Sequence, residues 1–96
     1  MTSLRTTDDH DIELYRPPVF QPGEKVLSRK YIRNDGTVPG SDIGAIVVAK
    51  GEVGYVRDVG TFLNRFYVYA VEFIDRRAVV GMRRDELVSL DQETGT

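Results

Sequence analysis

Residues 50–75 read KGEVGYVRDVGTFLNRFYVYAVEFID, and their pattern decides the fold. The run 66–74 alternates. Phe66, Val68, Ala70, Glu72 and Ile74 face one way, and Tyr67, Tyr69, Val71 and Phe73 face the other. Side chains alternate faces along a strand, and β-branched and aromatic residues suit a pleated, half-buried surface. Both sets are largely apolar, so this strand is covered on one face and on part of the other. Upstream, Gly51 and Gly54 frame Val53, Tyr55 and Val56, which predicts a second strand over 52–59. Gly54 within it marks a bulge or the close approach of another backbone. Residues 60–64, Gly-Thr-Phe-Leu-Asn, are read as the loop that joins the two strands.

Toward the N-terminus, residues 45–49 (AIVVA) form a short apolar strand. Before it, Asn34-Asp35-Gly36 and Pro39-Gly40 are closely spaced turn signals, and Gly44 adds a third flexible point. This predicts an excursion loop over 34–43. A first strand over 25–33 follows the turn Gln21-Pro22-Gly23-Glu24, with Val26, Leu27, Tyr31 and Ile32 as candidate buried residues. Downstream, Asp75-Arg76-Arg77 is a polar turn, and 78–82 is a strand with Ala78, Val80 and Met82 on one face. One helical turn over 84–87 and a short last strand over 88–90 complete the domain. No helical period is sustained. The expectation is an all-β fold, a small SH3-like barrel of about five strands with a long loop after the first. The domain spans 20–90, between a flexible arm over 1–19 and a flexible tail over 91–96.

The chain has 96 residues, which suits one domain. A domain of this size buries only about 60–65% of its unfolded surface. With 41% apolar residues there is material for one small core. There is no cysteine, which excludes disulfides and thiolate ligation of zinc or an iron–sulfur cluster. No apolar run approaches the roughly 18–20 residues that span a bilayer, and the N-terminus lacks the basic start and apolar core of a signal peptide. Cytoplasm is the expected location, with no membrane as partner. A net charge of −2 gives no overall attraction to polyphosphate.

Few residues invite catalysis. The only histidine, His10, lies in the arm beside Asp9 and Asp11. A metal could be caught there, but adjacent residues in a flexible segment hold no preset geometry, and a solvated tail is the plainer reading. Ile12, Leu14 and Tyr15 could dock the arm. No serine has a histidine partner in the domain, which argues against acyl transfer. Glu72 interrupts an apolar face; it is either a buried acid or, more plainly, an arginine's partner. The glycine-spaced turn Gly51-Glu52-Val53-Gly54 lacks the Lys-Ser/Thr ending of a phosphate loop. Arg57, Arg65, Arg76, Arg77, Arg83 and Arg84, with Tyr55, Tyr67 and Tyr69, allow a nucleic-acid-binding barrel as an alternative class. Interspersed carboxylates dilute that patch. The excursion loop is the better candidate, because loops on rigid scaffolds commonly carry binding. Arg33, Asn34, Asp35, Gly36, Thr37, Pro39 and Gly40 are its candidate contact residues. Asn34 and Asp35 equally suit the closing of turns. Thr61, Phe62 and Leu63 join the candidates as apolar and polar residues within a loop.

Arg33-Asn34-Asp35-Gly36-Thr37, Pro39-Gly40, Gly54-Tyr55-Val56 and Val59-Gly60-Thr61-Phe62-Leu63, at this spacing, resemble the NifZ family of nitrogen-fixation accessory proteins. Tyr69, Val71, Phe73, Asp75, Val80-Gly81 and Glu86-Leu87 continue the likeness, which covers residues 20–90. The resemblance implies a non-catalytic, chaperone-like role in nitrogenase maturation, in formation of the P-cluster of the molybdenum–iron protein. That cluster is fused from iron–sulfur pairs held by the client's own cysteines. The implied partners are the immature molybdenum–iron protein and other nitrogen-fixation assembly factors, with no cofactor and no metal bound by this chain. Members often carry cysteine where Met82 stands here, so any thiol role at that position is absent. Longer members carry a C-terminal extension.

Overall fold

Tyr69, Val71 and Phe73 are fully shielded from solvent, and so are Val26 and Val48. The alternation along 66–73 is therefore the packing pattern of one sheet face. The computed structural model describes residues 12–91. Its strands are β1 (Lys25–Ser28), β2 (Ile32–Arg33), β3 (Ile46–Val48), β4 (Val53–Phe62), β5 (Phe66–Phe73), β6 (Ala78–Met82) and β7 (Leu87–Ser89). Single 3₁₀ turns occupy Glu13–Tyr15, Ile74–Arg76 and Arg84–Glu86, and the described residues contain no α-helix. The all-β class is as expected. Five strands form one antiparallel sheet in the order β6-β5-β4-β1-β7, and β2 pairs with β3 in a separate ribbon.

The expected barrel does not close. β6 and β7 are the two outer strands of an open sheet and do not pair with each other. The reason begins in the predicted first strand, which is two strands. After Ser28 the chain leaves the sheet: the Ser28 hydroxyl donates to the Lys30 carbonyl at 2.7 Å, and the Arg29 amide donates to the Glu86 carbonyl at 2.8 Å. Tyr31, expected inside, is 59% exposed in this break. Ile32 and Arg33 then pair with β3, so the long loop is the tip of the second ribbon.

The β4–β5 connection also differs from expectation. Gly60, Thr61 and Phe62 are strand residues, opposite Val68, Tyr67 and Phe66. The turn itself is tight: the Arg65 amide donates to the Phe62 carbonyl at 3.0 Å, with Leu63 and Asn64 at φ of 56° and 54°. Positive φ at both central residues matches the right-handed twist of a hairpin.

At Gly54 the close approach is real. A Cβ there would lie 2.8 Å from both the Glu72 carbonyl oxygen and Val71 Cγ1. The register shift is a little further on, between Val56 and Asp58, and it bends β4 so that β1 can pair with its first half only. The core gathers Val26, Val56, Tyr69, Val71, Phe73, Val80 and Met82 from the large sheet, Val47 and Val48 from the ribbon, and Phe20 from the segment before β1. Phe20 meets the Tyr69 ring edge-on at 5.1 Å.

Residues 12–19, the described part of the expected arm, lie along β5. The Leu14 amide donates to the Arg65 carbonyl, and Glu13 Oε1 accepts from the Tyr67 amide at 3.0 Å. The Tyr67 hydroxyl donates to the Arg16 carbonyl at 2.6 Å, and the Tyr69 hydroxyl accepts from the Val19 amide at 3.0 Å. Burial pushes the Tyr69 hydroxyl pKa above its ordinary value. Asp9, His10 and Asp11 lie outside the described residues.

Candidate partner-binding site

Asn34 organises the long loop. Its side chain is 3% exposed, and its amide is fully used. Nδ2 donates to the carbonyls of Val38 (3.0 Å) and Ser41 (2.9 Å), and Oδ1 accepts from the amides of Gly36 (2.9 Å) and Val38 (3.1 Å). Its main chain closes the base, with N–H to the Ala45 carbonyl and C=O to the Gly44 amide, each at 2.7 Å. A side-chain amide replaces the hydrogen-bond ladder that a loop lacks. Gly36 and Gly40, at φ of 103° and 85°, take the left-handed positions. The side chains turned outward are those of Arg33, Asp35 and Thr37. Arg33 Nη1 donates to the Gly44 carbonyl at 2.9 Å. Asp35 Oδ1 accepts from the Thr37 hydroxyl at 2.6 Å and the Thr37 amide at 3.1 Å, which hold its carboxyl below the usual pKa.

The sequence placed Phe62 far from this loop, yet the fold brings them together. Asp35 and Thr37 form one wall of a groove of about 550 Å³ whose other wall includes Phe62. Phe66, Val68, Val79, Gly81, Met82 and Arg83 complete it. Phe62 is 52% exposed, with its ring 5.5 Å from that of Phe66, and the Arg83 guanidinium lies 3.5 Å above the Phe66 ring. Leu63 is 70% exposed and left-handed. An apolar β-turn residue that is both exposed and at positive φ incurs two costs without packing in return. Thr61 pairs with Tyr67 and so stands on the opposite face from Phe62. Pro39 and Gly40 line a second hollow of about 340 Å³, beside Arg77 and Ala78.

Sequence reading missed the floor of the groove. Its available signal was one strand glycine, Gly81, whose would-be Cβ meets only Val68 Cγ1 at 3.1 Å and which does not need positive φ. Met82 is 1% exposed, so whatever its backbone contributes to the groove, its side chain is a packing element of the core.

The remaining candidates are dispersed. Glu72 pairs with Arg57 at 3.4 Å, which is the plainer of its two expected roles. Tyr69 is buried and Tyr67 is tied to Arg16, so neither joins Tyr55 as a stacking surface beside the arginines. Among the described residues no three His, Cys, Asp or Glu side chains gather to hold a metal ion, and no helix is long and apolar enough to cross a membrane.

Comparison with known proteins places this geometry. A family model described as the NifZ domain matches residues 17–89. The chain is 60% identical over 77 residues to a Rhodobacter capsulatus protein named "Probable NifZ protein", covering 80% of this chain and 99% of that one. It is 42% identical over 71 residues to protein NifZ of Azotobacter vinelandii, covering 74% of this chain and 45% of that one. Against protein NifZ of Klebsiella pneumoniae the figures are 40% over 75 residues, 78% and 51%. No solved structure matches the chain. The sheet, the Asn34 loop and the hairpin that meets it are all contained in the matched span, and the chain belongs to the NifZ family.

Proposed function

We propose that this protein is a non-catalytic accessory factor for maturation of the nitrogenase molybdenum–iron protein, acting in P-cluster assembly by holding a surface of the immature client. The observation that carries the proposal is the meeting of Asp35 and Thr37 of the long loop with Phe62 of the β4–β5 hairpin on one groove, with the exposed Leu63 next to Phe62 at the turn. Arg33, Asp35 and Thr37 supply polar contacts, while Phe62 and Leu63 supply apolar anchors. Asn34, Gly36, Pro39 and Gly40 set the loop's shape. Exposed aromatic anchors commonly dominate binding energy, each costing about 2 kcal/mol or more on truncation. Without cysteine the chain offers no thiolate to a cluster, so the ligands come from the client. The strand order β7-β1-β4-β5-β6, with the long excursion between β1 and β4 and one 3₁₀ turn before β7, supports reading the scaffold as an SH3-like arrangement left open at its seam. The cytoplasm is the proposed site of action.

The test is capture of clients by tagged protein from nitrogen-fixing cells arrested before P-cluster formation. Recovery of the molybdenum–iron protein precursor is expected, with Phe62→Ala reducing it and leaving the melting temperature unchanged. Loss of melting temperature without loss of capture would make Phe62 a cap on the sheet end. Recovery of nucleic acid in place of the precursor would replace the reading with that of a nucleic-acid-binding module.

A further inference from the structure

Among the described residues β6 is an outer strand whose one strand partner is β5, and its five residues stay in unbroken register from Phe73↔Ala78 to Tyr69↔Met82. In an antiparallel pair, alternate residues turn their N–H and C=O groups away from the partner. Among the described residues, no backbone hydrogen bond joins those outward groups to the rest of the chain. Natural sheets blunt such an edge with lysine, proline, a bulge or an inward-pointing charge. Ala78-Val79-Val80-Gly81-Met82 has none of these, and Val79 and Gly81 are exposed. Beside this strand lie both hollows, the larger at its Gly81 end and the smaller at Ala78, each with the long loop as its far wall.

Two pairs of arginines bracket the strand: Arg76-Arg77 before it and Arg83-Arg84 after it. The outer member of each pair is occupied. Arg76 Nε lies 2.7 Å from Glu52 Oε1, and Arg84 Nε lies 3.5 Å from Asp85 Oδ1. Arg77 and Arg83, the two that adjoin the strand, are exposed and have no ion-pair partner among the described residues.

We propose that β6 is a strand-addition site for an extended segment of a partner protein that is apolar at alternate positions and acidic at both ends. Backbone groups of the edge supply the hydrogen bonds, Val79 and the groove beside Gly81 receive the apolar side chains, and Arg77 and Arg83 receive the acids. Five strand residues, and so six residue steps or about 20 Å, separate the two arginines, and the acids of the incoming strand therefore stand six positions apart. A second copy of this chain does not fit. Two β6 strands paired antiparallel about Val80 would set Arg77 against Arg83 and Arg76 against Arg84 at both ends, and like charges directly opposite are unfavourable. Nucleic acid would engage the arginines but leave the apolar edge unused. The edge and its charges carry this whether or not the partner is a nitrogenase precursor, so failure of client capture leaves it standing.

The experiment uses the full chain, labelled for amide NMR, and two synthetic peptides: Ser-Glu-Thr-Val-Thr-Val-Thr-Glu-Ser, whose acids and valines share one face, and the same sequence with lysine for glutamate. The acidic peptide is expected to shift the amides of residues 78–83 and slow their exchange. The lysine peptide should bind at least about tenfold more weakly, as should the acidic peptide to Arg83→Gln and Arg77→Asn. Asparagine tolerates the left-handed conformation at 77, so that variant tests charge without breaking the turn. Four results would each overturn the proposal. These are equal binding of both peptides, absence of binding, shifts confined to Leu63 and Asn64, and edge protection that grows with protein concentration or with added single-stranded oligonucleotide in place of the peptide.

Discussion

Asn34→Asp keeps the volume of the side chain and removes both of its donors. In the folded loop the new oxygen would face the carbonyls of Val38 and Ser41, now 3.0 and 2.9 Å from Nδ2. Two hydrogen bonds are lost, at about 1 kcal/mol each. A carboxylate is also placed beside two carbonyl oxygens. Breaking a buried ionic arrangement costs about 3–5 kcal/mol, but this loop lies at the surface and Oδ1 still accepts from Gly36 and Val38, so only part of that applies. The expected loss is about 3 kcal/mol at pH 7, or roughly 12–24 °C in Tm for a domain of this size. The sign with pH follows. Burial and the carbonyls raise the folded-state pKa of the introduced carboxyl above its unfolded value of about 3.9. The penalty is full above the raised value and shrinks as pH falls toward the unfolded one. Thermal and urea melts at pH 7 and pH 5, each against wild type, measure both effects. Melting within about 3 °C of wild type at pH 7, or a gap that fails to narrow at pH 5, would refute the account of Asn34 as the loop's organiser; 3 °C is less than 1 kcal/mol here. Asp35→Asn, on the exposed side of the same turn, is expected to melt close to wild type.

Gly54→Val sets a side chain against the Glu72 carbonyl and Val71, and the variant is expected to be poorly expressed or to melt far below wild type; normal melting would remove the pinch between β4 and β5. Tyr69→Ala should cost about 3–5 kcal/mol in a denaturant titration, as expected for a fully buried aromatic. Tyr69→Phe retains the ring but removes the hydroxyl that accepts from the Val19 amide, for about 1 kcal/mol. Because the Tyr69 pKa is raised in the folded state, the unfolded chain ionises first, so wild-type stability should fall as pH rises through about 10, and less so in Tyr69→Phe. Leu63→Asn relieves a left-handed leucine and should raise stability by about 0.5–1 kcal/mol while weakening client capture; unchanged capture would remove Leu63 from the interface.

The sheet was legible wherever one face is buried. Alternation from Phe66 to Phe73 and from Ala78 to Met82 matches the strands almost residue for residue, because period-two burial is a local signal. The break at Arg29 was not legible, since it depends on a bond to the Glu86 carbonyl, more than half the chain away. Tyr31 therefore looked like a core residue and is not one. The glycine in Gly60-Thr61-Phe62 suggested a loop, whereas pairing with Val68, Tyr67 and Phe66 carries the strand through it. For the candidate site, the turn chemistry of Asn34 was visible, but its burial was not. Likewise no local pattern could join Asp35 and Thr37 to Phe62, because that proximity arises only when the second ribbon folds beside β6.

All four partners of the Asn34 side chain are main-chain atoms: two carbonyls and two amides. The loop's path is thus specified chiefly from Asn34 and the backbone, with only the local Asp35–Thr37 bonds and Pro39 added by the residues between. Such a loop behaves as a fixed frame with replaceable contents. Substitutions at its outward positions can accumulate one at a time, changing the surface the loop presents while the Asn34 bonds hold its path. Under the proposed function, a lineage whose client changes could follow it by exchanging outward residues alone, and the ordering entropy of the loop, already spent on folding, would not be charged again at each encounter.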